Sequence, residues 1–163
     1  MPPTATGDMC GVTKTGVSDE QRQGFAELAR TVVEPGTKGL PPQAGPVILG
    51  EIGSRGWSLP EGDLTLPVAV LRRSALLANG TTMRRFLATH DMLIAPHGKT
   101  TMAPQLYAMQ VDDGAWGITV STVQHLAVCR RFGFERVLIA NQIVGRLEVE
   151  YLFETLAALP RLD

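Results

Sequence analysis

The chain has 163 residues, 44% of them hydrophobic, and a formal net charge of −1. That length suits one domain, and a near-neutral balance removes the electrostatic case for a nucleic acid or an anionic membrane as partner. No apolar run approaches the roughly 20 residues of a membrane span, and Met1-Pro2-Pro3-Thr4 lacks the basic and apolar parts of a secretory signal. A cytoplasmic, reducing location is therefore the expectation. Cys10 and Cys129 make neither a disulfide framework nor a metal-ligand spacing, and Cys129 reads as a small core residue.

Residues 1–17 are rich in Gly, Thr and Pro and are expected to form a disordered arm. Ser18 and Gln21 have capping-box spacing, and Phe25, Leu28, Ala29 and Val32 follow at helical intervals until Pro35-Gly36. Residues 36–66 are rich in Gly and Pro and read as an irregular segment, so an N-terminal helix plus irregular stretch spans 18–65. From residue 66 the pattern becomes regular. Strands are expected at 67–71, 92–95, 116–120 and 136–140. Helices are expected at 74–88, 103–111, from Ser121 or Thr122 to Gly133, and at 147–159. Thr101 is the expected cap of the second of these helices, and Gly80 weakens the first. Tyr151, Leu152, Leu156 and Leu159 fall on one face of the last helix.

Apolar strands alternating with helices imply a parallel sheet covered by helices, in an α/β fold. About four units are present, whereas a closed eight-unit barrel needs roughly 250 residues. Two architectures fit: the first part of a (β/α)8 barrel, incomplete in this chain, or an open doubly wound sheet of four strands.

The segment Ala95-Pro96-His97-Gly98-Lys99-Thr100-Thr101 places one lysine just past a strand, where parallel α/β folds build their sites. A partly desolvated amine there can attack a carbonyl. The bland alternative is a capping loop with a solvated lysine. A phosphate-binding loop is disfavoured, because the glycine required five positions before Gly98 is Leu93 and the later strand ends in Asn141, not an acid. His97 is a candidate for bonding a cofactor or substrate, or a loop histidine satisfied by backbone. His90 and His125 lack ligand partners, so a complete metal site is not expected. Thr119, Ser121, Thr122, Asn141 and Gln142 lie at or past the next strand ends and would face the same mouth, although Ser121 and Thr122 also suit helix capping. Asp112-Asp113 reads as a solvated turn, and Phe86, Phe132, Phe153 and Tyr151 as core.

From Leu66 to Gly145 the sequence resembles the front part of pyridoxal-phosphate enzymes of the alanine-racemase-like barrel class. It is most similar to the D-serine dehydratase and D-threonine aldolase group of deaminases and lyases. The pieces that carry the resemblance are Pro67-Val68-Ala69-Val70-Leu71 and the run Pro96-His97-Gly98-Lys99-Thr100-Thr101-Met102-Ala103-Pro104-Gln105-Leu106. Gly114-Ala115-Trp116-Gly117-Ile118-Thr119-Val120 and Val137-Leu138-Ile139-Ala140-Asn141-Gln142 complete it.

The resemblance implies that Lys99 is the catalytic residue and carries pyridoxal 5'-phosphate as a Schiff base. His97, Thr100, Thr119, Thr122, Asn141 and Gln142 are then cofactor-binding candidates. It implies a barrel from residue 66 onward, truncated here, with the later β domain absent. A divalent metal would be held only by residues beyond this chain. It further implies a D-amino acid as substrate, keto acid and ammonia as products, and a homodimer for the full-length enzyme. The fragment alone is expected to be inactive. The alternatives are retro-aldol cleavage of D-threonine type, a racemase or other coenzyme-binding protein, and a non-catalytic truncated remnant.

Overall fold

The structure is a computed structural model that describes residues 19–158. The expected arm at 1–17, the Ser18 cap, Cys10 and Leu159 lie outside the described residues. Helix α1 spans Asp19–Ala29. Strands β1 (Val32–Val33) and β2 (Val47–Ile48) pair antiparallel. Val32 is therefore a strand residue paired with Ile48, not part of the first helix as its spacing suggests. The irregular segment between and after these strands contains 3-10 turns at Pro42–Ala44 and Leu49–Arg55.

Helix α2 runs from Arg73 to His90 and α3 from Pro104 to Asp112. They are followed by β3 (Ile118–Val120), α4 (Val123–Arg131), β4 (Val137–Ile139) and α5 (Arg146–Ala158). β3 and β4 pair in parallel with Ile118 opposite Val137, which gives the parallel sheet expected from the strand–helix alternation. The architecture is mixed α/β, with small open sheets among the described residues.

Two expected strands change character. Residues 67–71 form no ladder among the described residues, and Val70 and Leu71 stay exposed. An apolar run becomes a strand only when a neighbour takes its backbone groups. The expected 92–95 strand does not form; the backbone at 94–98 runs beside β3 with a single isolated parallel bridge, His97 to Thr119. Backbone bonds hold it there: Trp116 N donates to Ile94 O, Thr119 N to Pro96 O and Gly98 N to Thr119 O, each at 2.8 Å. Pro96 has no N–H, so the rung two residues before Gly98 cannot form.

Capping differs from expectation at one helix and agrees at another. Thr101 does not cap α3; Ala103 occupies the cap without a side-chain bond and Pro104 opens the helix. Proline suits that position because the N–H it lacks would have no helical acceptor. Thr122 does cap α4, accepting from His125 N at 3.3 Å, and Gly133 leaves that helix with φ 67°.

The core lies between the sheet and its helices. Tyr107, Ile118, Val120, Cys129, Phe132 and Phe134 are buried together, with Phe25 and Leu28 of α1 packed against them. Phe86 and Phe153 are exposed instead of joining this core. Tyr151 and Leu152 are half-buried, Leu156 is exposed and Thr155 is the buried residue of α5. Asp113 is not a free turn carboxylate: its Oδ1 accepts from Arg84 Nη1 at 2.6 Å, tying α3 to α2. Gly80 sits under that carboxylate, and a Cβ there would collide with it, so the weak helix former has a packing reason.

Candidate active site

Residues 94–98, β3 and β4 run side by side in one direction. Their C-terminal ends therefore share one edge; Lys99 and Ser121 follow those ends directly, and Asn141 comes after the end of β4 with one residue, Ala140, between. Parallel sheets leave this edge to loops, and loops there can carry chemistry without disturbing the core.

Lys99, Thr100 and Thr101 form an exposed turn. Met102 N closes the turn by donating to Gly98 O at 3.0 Å, with Met102 in the left-handed region at φ 44°. Tyr107 fastens the same carbonyl from below. Its hydroxyl donates to Gly98 O at 2.8 Å and lies 3.3 Å from Met102 Sδ. The phenol ring packs so closely under Gly98 that a Cβ would come within 2.7 Å of it. The glycine beside the lysine is thus required by the ring beneath it. Tyr107 is 1% exposed and meets Phe134 edge-on at 5.6 Å between centroids. Sequence reading missed Tyr107, whose only signal is a polar-tipped aromatic on the inner face of α3.

His97 belongs to a chain of polar contacts along the rim. Its Nδ1 lies 3.1 Å from Thr119 O and its Nε2 3.5 Å from Ser121 Oγ. A carbonyl only accepts, so Nδ1 carries the proton and neutral His97 presents a bare Nε2 to the serine. Asn141 Nδ2 donates to Ser121 O at 3.4 Å, which adds the end of β4 to the same cluster. His97, Ser121 and Asn141 are thus joined by bonds, and Lys99 and Thr100 stand on the adjoining turn.

Three other candidates are placed differently. Thr119 is buried and its hydroxyl donates to Ala95 O at 2.6 Å, so it ties two strands together instead of facing the mouth. The Thr122 hydroxyl is taken up by the helix cap. Gln142 is exposed, one residue beyond Asn141. The Lys99 amine is solvated, not desolvated as the strand-end position suggests.

An apolar groove of about 280 Å³ lies behind the rim, between α2 and α3, lined in part by Leu76, Leu87, Pro96 and Met109 but not by Lys99. Among the described residues, no three His, Cys, Asp or Glu side chains gather as metal ligands, and no helix is long and apolar enough to cross a membrane.

Burial pushes the Cys129 thiol up to about 11 from its ordinary 9.0. Burial, and then the neighbouring Cys129, also raises the Tyr107 hydroxyl above 10.0. Both groups are held neutral in the fold. A raised folded pKa gives stability that is complete below the unfolded value and is lost as pH climbs through the folded one. Stability is therefore expected to fall between pH 9 and pH 11, by roughly 3 kcal/mol from the thiol alone. Urea titrations at stepped pH check this, and Cys129→Ala should remove most of the slope in that window. A slope unchanged by Cys129→Ala would refute it.

No protein-family model matches the chain, and no curated protein matches it significantly. A solved structure does. The chain is similar to a D-threonine aldolase. That enzyme comes from Filomicrobium marinum, and the match has a TM-score of 0.56 and 28% sequence identity. It covers 58% of this chain and 26% of the aldolase chain, so this chain spans about a quarter of the aldolase's length. The likeness supports, at the level of the wider class, the resemblance carried by the segment around Lys99.

Proposed function

We propose that this chain supplies the lysine-bearing segment of a pyridoxal-phosphate-dependent lyase acting on D-amino acids. The observation that carries this reading is the Lys99 turn. One accessible amine stands at the C-terminal edge of a parallel sheet, on a loop held from below by Tyr107. The residues fit the coenzyme chemically: the amine is reachable by an aldehyde, and hydrogen-bonding groups of Ser121 and Asn141 border the same edge. When bound, pyridoxal phosphate supplies an electron sink for charge developing on the substrate's α-carbon.

The chain's own residues do the remaining work. Lys99 Nζ would hold the coenzyme covalently and would serve as the base for the substrate's α-proton. Tyr107 and the Met102–Gly98 bond hold the lysine's backbone in register with β3. His97, kept in one tautomer by Thr119 O, and the Ser121 and Asn141 side chains orient what enters the mouth.

Two reactions share this requirement. The resemblance around Lys99 covers both D-serine-type dehydration to keto acid and ammonia and retro-aldol cleavage of D-threonine type, and the structural likeness is to a D-threonine aldolase. Turnover of D-serine against D-threonine by the complete enzyme separates them. A cytoplasmic, homodimeric enzyme is part of the same proposal.

The attachment itself can be mapped cleanly, because the sequence has three lysines, Lys14, Lys38 and Lys99. After incubation with pyridoxal phosphate and borohydride reduction, the coenzyme's added mass is expected on the peptide containing Lys99. Labelling confined to the other two lysines, or equal on all three, would sink the reading.

A further inference from the structure

Two of the groups that border the Lys99 turn are also placed for a chemistry that does not use the lysine. Ser121 Oγ lies 3.5 Å from His97 Nε2, and His97 Nδ1 is 3.1 Å from Thr119 O. A hydroxyl, an imidazole and an acceptor that fixes the imidazole's tautomer are the parts of a nucleophile–base pair, and such pairs are loose before substrate binds. The backbone carbonyl of Thr119 holds Nδ1–H and aims Nε2, the positioning part of a triad carboxylate's role, without the negative charge that stabilises the imidazolium. The geometry points to Ser121 and His97 as a nucleophile–base pair that accepts acyl groups from small carboxylic esters at the open rim.

The surroundings suit that chemistry. Ser121 is half-buried and His97 exposed, so a small ester reaches both. Ser121 immediately precedes Thr122, the cap of α4. The N–H groups of Val123 and Gln124, in the first turn, have no intrahelical acceptor, and the positive end of the helix favours negative charge developing nearby. Ser121 is also fixed from the other side, because its carbonyl accepts from Asn141.

The steps balance. Ser121 Oγ attacks the acyl carbon while its proton passes to His97 Nε2. The bond from the acyl carbon to the alcohol oxygen breaks, and the alcohol leaves with that proton. Water then attacks the acyl-serine, giving its proton to His97, and the carboxylic acid departs as Ser121 is reprotonated. No oxidant or metal is required. The thiol of Cys129 takes no part, being fully buried.

The test uses the full chain with p-nitrophenyl acetate, followed by p-nitrophenolate release and peptide mapping of the acetyl group. The acetyl is expected on Ser121 as an ester that hydroxylamine removes. Ser121→Ala and His97→Ala should each slow acetylation by about 100-fold or more, with circular dichroism unchanged. Phenylmethanesulfonyl fluoride gives an independent reading on the unaltered chain and should modify Ser121. Acetyl found only on Lys99 as a hydroxylamine-stable amide would overturn the proposal. So would full reactivity in Ser121→Ala, or failure of the sulfonyl fluoride to label Ser121. Neither label depends on pyridoxal phosphate, so failure here and failure at Lys99 are separate results.

Discussion

Lys99→Ala is expected to abolish reducible attachment of pyridoxal phosphate while leaving the fold intact. The reason is the contrast between what the side chain can do and what it touches. The amine is the only lysine nitrogen that the sheet's C-terminal edge presents among the described residues. Yet Lys99 is exposed, on a turn fixed by the backbone of Met102 and Gly98 and by the Tyr107 hydroxyl. Exposed substitutions away from caps and cores change stability by about 0.5 kcal/mol or less. The urea midpoint of Lys99→Ala should therefore match that of the parent, while the visible absorbance of the bound coenzyme and the borohydride-fixed mass both vanish. Lys99→Arg sharpens the experiment, since it keeps the positive charge without a primary amine. If Lys99→Arg still took up coenzyme reducibly, Lys99 would not be the attachment point.

The second large effect belongs to a residue that touches no ligand. Tyr107→Ala is expected to cost roughly 3–5 kcal/mol, the usual range for removing a buried large aromatic. Three separate contacts are lost at once: the edge-on packing with Phe134, the ring beneath Gly98 and the bond to Gly98 O. Domains of this size are stable by about 5–15 kcal/mol, so the loss leaves the variant near its unfolding threshold. Tyr107→Phe separates the ring from the hydroxyl. It keeps the packing and should cost about 0.5–1.5 kcal/mol, the net worth of one hydrogen bond. Its distinctive effect should be local, with faster amide hydrogen exchange at Lys99 to Met102. A urea midpoint for Tyr107→Ala within 1 kcal/mol of the parent would remove Tyr107 as the support of the lysine turn.

Gly98 ties these two results together. It lies next to Lys99, and its own environment is set by the tyrosine eight positions after that lysine in the chain. The ring occupies the space a Cβ would need, so Gly98→Ala should overpack the site by about 1–3 kcal/mol. The glycine in the motif thus has a packing cause, independent of any direct contact with coenzyme.

Local pattern revealed much of the fold. The helices around Leu76 and Leu126 show as apolar spacings, and the ends of the second show as the Thr122 cap and Gly133. These features depend on residues within a few positions of one another, which is why they can be read along the chain. The strands were harder. Val32 continued a helical spacing but was drawn into pairing with Ile48, 16 residues later. Pro96 interrupted the ladder of an otherwise strand-like run. Residues 67–71 carried the composition of a strand without acquiring ladder bonds among the described residues.

At the site, sequence by itself pointed to the lysine and the flanking histidine just past an apolar run, because that motif is read from adjacent residues. Only the tertiary structure decided what each neighbour does. His97 meets Ser121 across 24 positions, and Tyr107 reaches back under Gly98. Thr119, a candidate by position alone, turned its hydroxyl onto Ala95 to join two strands. Register between parallel strands sets those partnerships, and register depends on how whole elements pack, not on the residues adjacent in the chain.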